Sequence, residues 1–446
     1  MNDPAVESVT AAAYTLPTDA PEADGTLAWD SVTLVLAQVR AGGEQGIGWT
    51  YGSPACAAVI SGMLAGVVHG RPALDVPGAS QAMIRAARNI TRPGVAGYAI
   101  SALDVALWDL KAKLLGLPLY RLLGGVRDDV PVYGSGGFTC YDEDQLRDQL
   151  SRWASGQRIP RVKIKIGESW GTDTARDVAR MQQARAVVGD DVELFVDANG
   201  GYGRKQAIRV MGAAADLDVR WFEEPVSSDD LDGLREVRAA VRADVTAGEY
   251  GWDLYYFRRM CEAGAVDCLQ ADVSRCGGIT EWLRVAAVAA SYGLEISGHC
   301  APHLHAHAAA AVPNLRHLEW FHDHVRIEST LFDGTLDPSG GVIRPDPAAL
   351  GLGMINRIVP LAELPRASLA YAKRLSLISP QALYATKRAV NRVADATGFR
   401  SALYAGLDVV GPLYATATDH GTRFREIAGT EGVPAAVKWR SAQFKG

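Results

Sequence analysis

Ionisable side chains recur once per strand–helix unit through the middle of the chain. The steps between consecutive members of the series are 32, 26, 26, 23, 27 and 20 residues. Each member stands near the end of a short β-rich run, and the members are Lys165, Asp197, Glu223, Glu249, Asp272, His299 and Glu319. Residues so distant in sequence meet if the runs are parallel strands whose carboxyl ends share one edge.

Three of these residues are carboxylates on successive runs, namely Asp197, Glu223 and Glu249. Carboxylates brought together repel one another, and a divalent cation removes that repulsion. An all-oxygen ligand set suits Mg²⁺, with Mn²⁺ as a substitute. Glu224 follows Glu223 directly, and the pattern leaves open which of the two points inward. For any one carboxylate alone, a salt bridge to a lysine or arginine is the alternative.

Two lysines share one face of the stretch RVKIKIG (161–167), where apolar residues alternate with Lys163 and Lys165. The alternation predicts a β-strand. In a parallel barrel both strand faces are covered, so these lysines face the interior. We expect their mutual repulsion to lower one pKa, which makes one lysine a neutral base near pH 7 and leaves the other to hold an anion. A solvent-exposed lysine face is the alternative.

His299 and Asp272 complete the chemistry. Imidazole carries protons near neutral pH, and an aspartate on the adjacent strand can fix its tautomer. A metal, a lysine base and a histidine base together predict removal of a proton next to a carboxylate. Mg²⁺ and Lys163 would stabilise the enediolate, and Glu319 is placed to donate a hydrogen bond or a proton to the substrate carboxylate.

The elements that position these residues follow from periodicity. Residues 31–40 predict a strand, and 99–116 predict a helix that ends at Gly116. From residue 131 onward eight short strands alternate with helices, which predicts a parallel sheet closed as a (β/α)8 barrel.

Composition excludes several classes of protein. The chain has 446 residues, 48% of them apolar, and a net charge of -6, which gives nucleic acid no basic surface. No apolar run reaches membrane-spanning length, so no membrane partner is expected. Six cysteines without a CxxC pair indicate free thiols in a reducing compartment. The acidic N-terminus carries no signal pattern, so we expect a cytoplasmic protein.

The motifs RVKIKIG, FVDANG, WFEEP, TAGEY, ADVSRCGG, SGH and LEW resemble the mandelate racemase subgroup of the enolase superfamily. The stretch 92–125 is similar to the helical signature of that family's capping domain. The resemblance implies an α/β fold with a (β/α)8-type barrel, and it assigns roles over residues 5 to 355. Asp197, Glu223 and Glu249 would bind the metal, and Asn199 would contact substrate. Lys165 would be the base on one face of the substrate, and His299 with Asp272 would serve the other face. Lys163 would sit by the substrate carboxylate, and Glu319 would be the electrophilic acid.

The resemblance also implies a domain order. We expect an α+β capping domain over 1–128, the barrel over 129–335, a return segment to the cap over 336–357 and a helical tail over 358–446. The tail resembles the C-terminal helical part of enoyl-CoA hydratases, the crotonase family. It lacks that family's catalytic part, so no CoA chemistry is implied. We expect the tail to support a homo-oligomer, with an inert fusion remnant as the alternative.

Two further groups of residues have open interpretations. Aromatic residues of the cap, Tyr14, Trp29, Trp49 and Tyr51, are candidates to line the substrate pocket, and packing within the cap is an equal alternative. His303 and His307 have the spacing of a helical metal pair within the cluster that also holds His299 and His305. No third ligand is evident, and these histidines are expected in the first turn after the seventh strand.

The sequence thus predicts an enzyme acting on a small-molecule carboxylate. Mg²⁺-dependent dehydration of a sugar acid to a 2-keto-3-deoxy acid is the leading function. The alternative is a racemase or epimerase of a 2-hydroxy acid, since two bases on opposite faces suit inversion. An inactive barrel that serves as an assembly module is the alternative of another class.

Overall fold

The computed structural model describes residues 3–354 and four residues of the tail, at positions 426, 427, 429 and 430. The chain divides into two compact units, Met1–Ala370 and Tyr371–Gly446. The predicted helical tail over 358–446, apart from those four positions, lies outside the described residues. The first unit contains the capping domain and the barrel.

An antiparallel sheet opens the chain, with β1 (Ser8–Ala23), β2 (Ala28–Ala41) and β3 (Glu44–Tyr51) in that order. The strand predicted over 31–40 lies within β2. Helical segments follow, and they are α1 (Ala55–Val59), α2 (Ala65–Val68), α3 (Val76–Ala86), α4 (Val95–Leu114) and α5 (Leu119–Leu122), with a π-helical turn at Ile60–Leu64 and a 3-10 turn at Ala87–Asn89.

Helix α4 packs directly on β3, and two glycines permit the close approach. A Cβ at Gly46 would lie 2.1 Å from the carbonyl oxygen of Ala106, and one at Gly48 would lie 2.3 Å from that of Ala102. The helix predicted over 99–116 is confirmed in type, but in the structure it begins earlier, at Val95. Its last turn passes into Gly116, whose φ of +66° suits glycine.

Eight parallel strands form a closed barrel. They are β4 (Val130–Gly136), β5 (Arg161–Lys165), β6 (Glu193–Asp197), β7 (Val219–Glu223), β8 (Asp244–Ala247), β9 (Cys268–Ala271), β10 (Glu295–Gly298) and β11 (Leu315–Phe321). Each strand pairs with the next along the chain, and β11 pairs with β4. The predicted (β/α)8-type barrel with an N-terminal α+β cap is confirmed.

Helices and turns connect these strands. They are α6 (Glu143–Ser151), the irregular turn α7 (Glu168–Gly171), α8 (Thr174–Val188), α9 (Arg204–Ala213), α10 (Leu231–Ala240), α11 (Leu254–Glu262), α12 (Gly278–Ser291), α13 (Pro302–Ala310) and α14 (His322–Leu331), with a π-helical turn at Arg152–Gly156 and a 3-10 turn at Ala215–Leu217. Aspartate side chains cap several N-termini, as at Asp142 and Asp253.

The chain then returns toward the cap. Strand β12 (Val342–Ile343) pairs antiparallel with β4. The backbone N–H of Leu352 donates to Asp109 of α4 at 2.8 Å. This segment therefore contacts both the barrel and the cap.

The alternation in β5 separates two environments. Val162 and Ile164 are fully buried in the large core cluster that includes side chains of the surrounding helices. Lys163 points into the barrel, with its Nζ 5.3 Å from the centroid of the Tyr133 ring. Phe195 and Trp221 stack beside Tyr133 and form an aromatic layer inside the barrel. The lysines thus lie above a packed floor, toward the carboxyl ends of the strands.

Among the described residues, no helix is long and apolar enough to cross a membrane.

Candidate active site

Three buried carboxylates meet at the carboxyl ends of β6, β7 and β8. Asp197 ends β6, Glu223 ends β7, and Glu249 follows β8 by two residues. One oxygen of each lies within 4.8 Å of the others, and none of the three residues is more than 3% exposed. Glu223, not Glu224, belongs to this group, which closes the alternative left open by the sequence. The strand register, which pairs Asp197 with Glu223, brings them together.

Both lysines of β5 are paired with these acids. Lys163 Nζ lies 2.5 Å from Glu223 Oε1, and Lys165 Nζ forms an ion pair with Asp197 Oδ2. Burial is the largest single effect and lowers the pKa of Lys165, but the carboxylates of Asp197, Glu319 and Glu223 together outweigh burial and repulsion by Lys163, so the pKa is raised. The pKa of Lys163 is raised for the same kind of reason, through Glu223 and Glu319. The prediction of a neutral lysine near pH 7 is therefore wrong for this arrangement, because repulsion is weaker than pairing.

Glu319 of β11 bridges two parts of the site with different oxygens. Its Oε1 lies 2.7 Å from Lys163 Nζ and accepts from Ser135 Oγ at 2.6 Å. Its Oε2 accepts from the backbone N–H of Cys300 at 2.9 Å. Burial raises the pKa of Glu319, but Lys163 and His299 outweigh it and the pKa is held well below its usual range. Glu319 is an acceptor in this arrangement.

His299 follows β10 directly and pairs with Asp272, which follows β9. His299 Nδ1 lies 2.8 Å from Asp272 Oδ2, so this carboxylate fixes the ring and leaves Nε2 toward the centre of the mouth. Burial lowers the pKa of His299, but Glu249 and the bond to Asp272 outweigh burial, and the pKa is raised. His299 therefore holds its proton to a higher pH than a free histidine.

The strand order places the two predicted bases on either side of the acids. Lys165 belongs to the second barrel strand, the three carboxylates to the third, fourth and fifth, and His299 to the seventh. A substrate bound beside the carboxylates would thus meet a lysine from one side and a histidine from the other.

Asn199 lies just beyond β6 in a left-handed conformation, with φ of +45°. Its N–H donates to Asp197 Oδ1 at 2.9 Å. Its own Oδ1 is buried and has no hydrogen-bond partner. The amide oxygen is therefore available to a ligand.

Three residues of the site were missed from the sequence. Arg275 lies 3.3 Å from Glu249 Oε1 and 3.4 Å from Asp272 Oδ2, and so links the acids to the histidine pair. Ser135 and Cys300 both contact Glu319. Arg275 and Cys300 stand within or beside the motifs ADVSRCGG and SGH, so proximity to those motifs was the available signal.

Three of the cap aromatics donate hydrogen bonds to carboxylates of α14, whereas Tyr14 packs within the cap. Trp29 Nε1 donates to Glu22 at 2.9 Å and to Asp323 at 3.2 Å, where α14 begins. Trp49 Nε1 and Tyr51 Oη donate to Glu328 at 2.9 and 3.0 Å. Tyr14 pairs within the cap sheet and packs against the core.

Both Trp49 and Tyr51 are therefore buried where the cap meets the barrel. Tyr51 is 5% exposed and stacks on the His324 ring. The packing interpretation suits these two residues better than a pocket lining.

The remaining histidines of the cluster have separate partners along α13. His303 Nδ1 contacts the Glu328 carboxylate, and His307 Nε2 lies 3.1 Å from the Leu352 carbonyl. His305 Nε2 accepts from the Val273 N–H at 2.9 Å. Within the described part of the chain, no third ligand joins His303 and His307. His303, His305 and His307 are spread along α13 and are not confined to the first turn after β10.

A cavity of about 450 Å³ lies at the opposite end of the barrel. Its lining residues begin the strands rather than end them, as Arg161 begins β5 and Glu193 begins β6. In this fold that face contributes to stability, whereas active sites form at the carboxyl ends. The mouth with the acids and bases is therefore the candidate active site.

The donor set at the mouth fits a hard divalent cation. All three residues offer carboxylate oxygens, which Mg²⁺ prefers. Glu249 Oε2 is buried without a hydrogen-bond partner, as expected of an atom placed for a ligand outside the protein. Among the described residues, Asp197, Glu223 and Glu249 would hold such an ion.

Fold and site together define a barrel of the kind that carries its chemistry at the strand carboxyl ends under a capping domain. Residues 11–124 match the mandelate racemase / muconate lactonizing enzyme N-terminal domain, and residues 145–355 match the enolase C-terminal domain-like family. The chain belongs to the mandelate racemase / muconate lactonizing enzyme family of the enolase superfamily.

Three relatives illustrate this membership. L-talarate/galactarate dehydratase of Salmonella typhimurium is 32% identical over 314 residues, which cover 68% of this chain and 78% of that protein. The crystal structure of a mandelate racemase/muconate lactonizing enzyme-like protein from Rubrobacter xylanophilus is 49% identical, with a TM-score of 0.77 over 79% of this chain and 98% of that one. The structure of L-talarate dehydratase from Polaromonas sp. JS666 with Mg and L-glucarate is 30% identical, with a TM-score of 0.71 over 79% of this chain and 95% of that one.

Proposed function

We propose that this protein removes the proton next to the carboxylate of an acid sugar and expels the β-hydroxyl, which yields a 2-keto-3-deoxy acid. One observation carries the proposal. Three carboxylates, a lysine and a histidine–aspartate pair converge on one barrel mouth, with the lysine and the histidine on either side of the acids. A dehydratase among the relatives and an Mg-bound relative with an acid sugar support it.

Asp197, Glu223 and Glu249 would hold Mg²⁺. When bound, this ion supplies positive charge beside the substrate carboxylate and takes over the acids that keep Lys165 protonated. Lys163, fully buried, would place its ammonium at the same carboxylate. Asn199 would bind substrate through its unpartnered amide oxygen.

Proton transfer is assigned to Lys165 and His299. Lys165, once released from Asp197, takes the α-proton on one face of the substrate. His299, whose Nδ1 is held by Asp272, is suited to donate a proton from Nε2 to the departing hydroxyl. With a substrate of the opposite configuration the two residues would exchange roles.

Glu319 acts as an acid only if Lys163 turns from it to the substrate. In the structure both Lys163 and Ser135 hold the Glu319 carboxylate. Substrate binding that recruits Lys163 would remove the charge that keeps the pKa of Glu319 low.

Racemisation of a 2-hydroxy acid is the second candidate, because a base stands on each side of the acids. A library of aldonates, aldarates and 2-hydroxy acids, incubated with the full chain and Mg²⁺ in D₂O, separates the candidates. Formation of a 2-keto acid supports dehydration, and α-deuteration with inversion but no keto acid supports racemisation. Neither reaction across the library would favour an inactive assembly module.

A further inference from the structure

Cys300 places a thiol at the centre of the mouth, and the proposed reaction does not use it. The residue follows His299 at the end of β10 and has φ of +50°. Its Sγ lies 3.2 Å from His299 Nε2 and 3.3 Å from Glu319 Oε2. These three side chains form a buried group with ligand atoms within 4.8 Å of one another.

Glu249 and the second oxygen of Glu319 define the surroundings of this group. Glu249 Oε2 lies 3.3 Å from His299 Nε2 and accepts no hydrogen bond, although the side chain is only 4% exposed. Glu319 Oε2 lies 3.8 Å from the same ring nitrogen, while Oε1 stays with Lys163. His299 Nε2, Cys300 Sγ and Glu319 Oε2 therefore face one another without disturbing the lysine pair.

The separations among His299 Nε2, Cys300 Sγ and Glu319 Oε2 match the three edges of one face of a tetrahedron. Zinc bonds of about 2.0–2.3 Å place tetrahedral donors roughly 3.3–3.8 Å apart. The separations of His299 Nε2 from Cys300 Sγ and Glu319 Oε2 are 3.2 and 3.8 Å, and Cys300 Sγ lies 3.3 Å from Glu319 Oε2. Asp272 holds the other ring nitrogen, which is the usual arrangement around a zinc-bound histidine.

The chemistry of the donors selects the metal. One nitrogen, one sulfur and one oxygen suit Zn²⁺, with water as a fourth ligand, whereas Mg²⁺ takes oxygen ligands. The three-carboxylate group and this group have no residue in common.

We propose that His299, Cys300 and Glu319 form a second, inhibitory metal site selective for Zn²⁺ over Mg²⁺. Binding replaces the thiol proton of Cys300 with the metal and releases that proton to solvent. The metal occupies His299 Nε2, the atom through which His299 would exchange a proton with substrate. Metal binding at this site does not depend on the proposed reaction. Only the inhibitory role of the metal rests on the proposed function.

Cobalt tests the site without any substrate, because Co²⁺ replaces Zn²⁺ and a thiolate–Co²⁺ bond absorbs in the near ultraviolet. Metal-free full-length protein is titrated with Co²⁺ in excess Mg²⁺, which fills the carboxylate site. We expect a charge-transfer band that saturates at one equivalent. Cys300→Ser should lose the band and weaken Co²⁺ binding by more than 10-fold, and Zn²⁺ should bleach the band in the wild-type protein.

Cys140→Ser is the matched control, since Cys140 is an exposed free thiol whose Sγ contacts the Pro21 carbonyl and not the three donors, and its loss should leave the band intact. Cys300→Ala, compared by circular dichroism with the wild type, covers the case in which the serine variant does not fold. A band that survives both Cys300 changes, or no band in the wild-type protein, would overturn the site.

The same samples separate this inference from the reaction. In a chain that exchanges α-protons, Zn²⁺ should stop the exchange in the wild type at a concentration at least 10-fold lower than in Cys300→Ser. Equal sensitivity of the two would overturn the inhibitory role. If no substrate is found, the cobalt titration still decides the metal site.

Discussion

At the scale of single residues, each charge at the mouth is set by its neighbours. Asp197 is contacted by Lys165 and lies 3.6 Å from Lys163, and it also belongs to the carboxylate group. A cation and two ammonium groups therefore compete for the same oxygens. The protonation state of the lysine thus depends on what else binds Asp197.

Replacing Lys165 tests the base on one side. Lys165→Ala should lower the rate of α-proton exchange from one substrate epimer by about 10²–10⁴-fold, because that face loses its proton acceptor. Exchange from the other epimer should persist. NMR in D₂O with each epimer measures both rates, and His299→Asn is the control with the opposite epimer preference. Undiminished exchange from both epimers of Lys165→Ala would remove its role as base.

The carboxylate group can be tested through metal affinity alone. Glu249→Gln should weaken Mg²⁺ binding by about 100-fold or more, since it removes a charged ligand where loss of an outer-shell contact already costs 10–100-fold. Glu224→Gln is the matched control. Burial and the nearby Glu249 raise the pKa of Glu224 well above its usual range, so a neutral amide resembles its protonated form. Calorimetric titrations of Glu249→Gln that match the wild type would contradict the ligand assignment.

The histidine pair makes a prediction about pH. Asp272 helps to raise the pKa of His299, so Asp272→Asn should lower that pKa and cause His299 to lose its proton at lower pH. The limb of the kcat/KM profile that follows His299 should move in the acidic direction. A limb that stays in place in Asp272→Asn would mean that another group sets it.

At this scale the sequence predicts which side chains face the barrel interior, but it does not predict which charged groups they contact there. The period of two placed Lys163 and Lys165 inside the barrel correctly. It carried no information about which acids would face them, because Glu223 and Glu319 come from strands far along the chain. The lysine pKa was therefore predicted in the wrong direction.

At the scale of elements, buried carboxylates link the cap to the barrel. Asp104 of α4 accepts from the Thr280 N–H at 3.0 Å and from Thr280 Oγ1 at 2.6 Å, where α12 begins. Burial raises the pKa of Asp104 from 3.8 to about 7, and the bonds from Thr280 only partly oppose it. This helix contact therefore depends on pH.

The direction of the pH dependence follows from whether the folded or the unfolded chain keeps the proton on Asp104. Folded Asp104 keeps its proton up to about pH 7, whereas the unfolded chain loses it near its ordinary pKa of 3.8. The stability of the wild type relative to Asp104→Asn should fall as pH rises between these values, by up to about 4 kcal/mol in the free energy of unfolding. Thermal melts of both proteins across this range measure the difference. The exposed Asp128→Asn should show none, and a difference independent of pH in Asp104→Asn would contradict the shift.

Element types were predictable because their periods are local. Short β-rich runs that alternate with helical stretches are a local signal, so the existence of the barrel strands and of α4 followed from the sequence. The surroundings of Trp49 and Tyr51 did not follow, since Glu328 lies more than 270 residues away from both. A strand pattern shows which face is buried but not what covers it.

At the scale of the whole molecule, one acid joins the cap to the end of the barrel. Glu328 of α14 accepts from Trp49 and Tyr51 and pairs with His303 of α13. A buried carboxylate with three partners is costly to disturb, because loss of one partner leaves the others unsatisfied. The cap sheet therefore has a fixed position over the barrel.

Removal of residues 358–446 tests the expected role of the tail. We expect the truncated chain to sediment as a smaller assembly than the full chain, since the resemblance to crotonase tails predicts subunit contacts. Its catalytic residues are unchanged, so α-proton exchange per site should stay within about twofold. Identical sedimentation of both chains would favour the inert remnant.

The backbone at the barrel mouth has a consequence for thermal adaptation. Asn199, Glu224, Cys300 and Ala301 all have φ between +37° and +50° and lie one to three residues beyond the ends of β6, β7 and β10. Such conformations in residues other than glycine cost of order 1–3 kcal/mol each and persist where the surroundings enforce them. Glycine at these positions would relieve the cost and also loosen the turns that aim the acids and the thiol. A substitution that raises thermal stability at these positions therefore also weakens the geometry on which turnover depends.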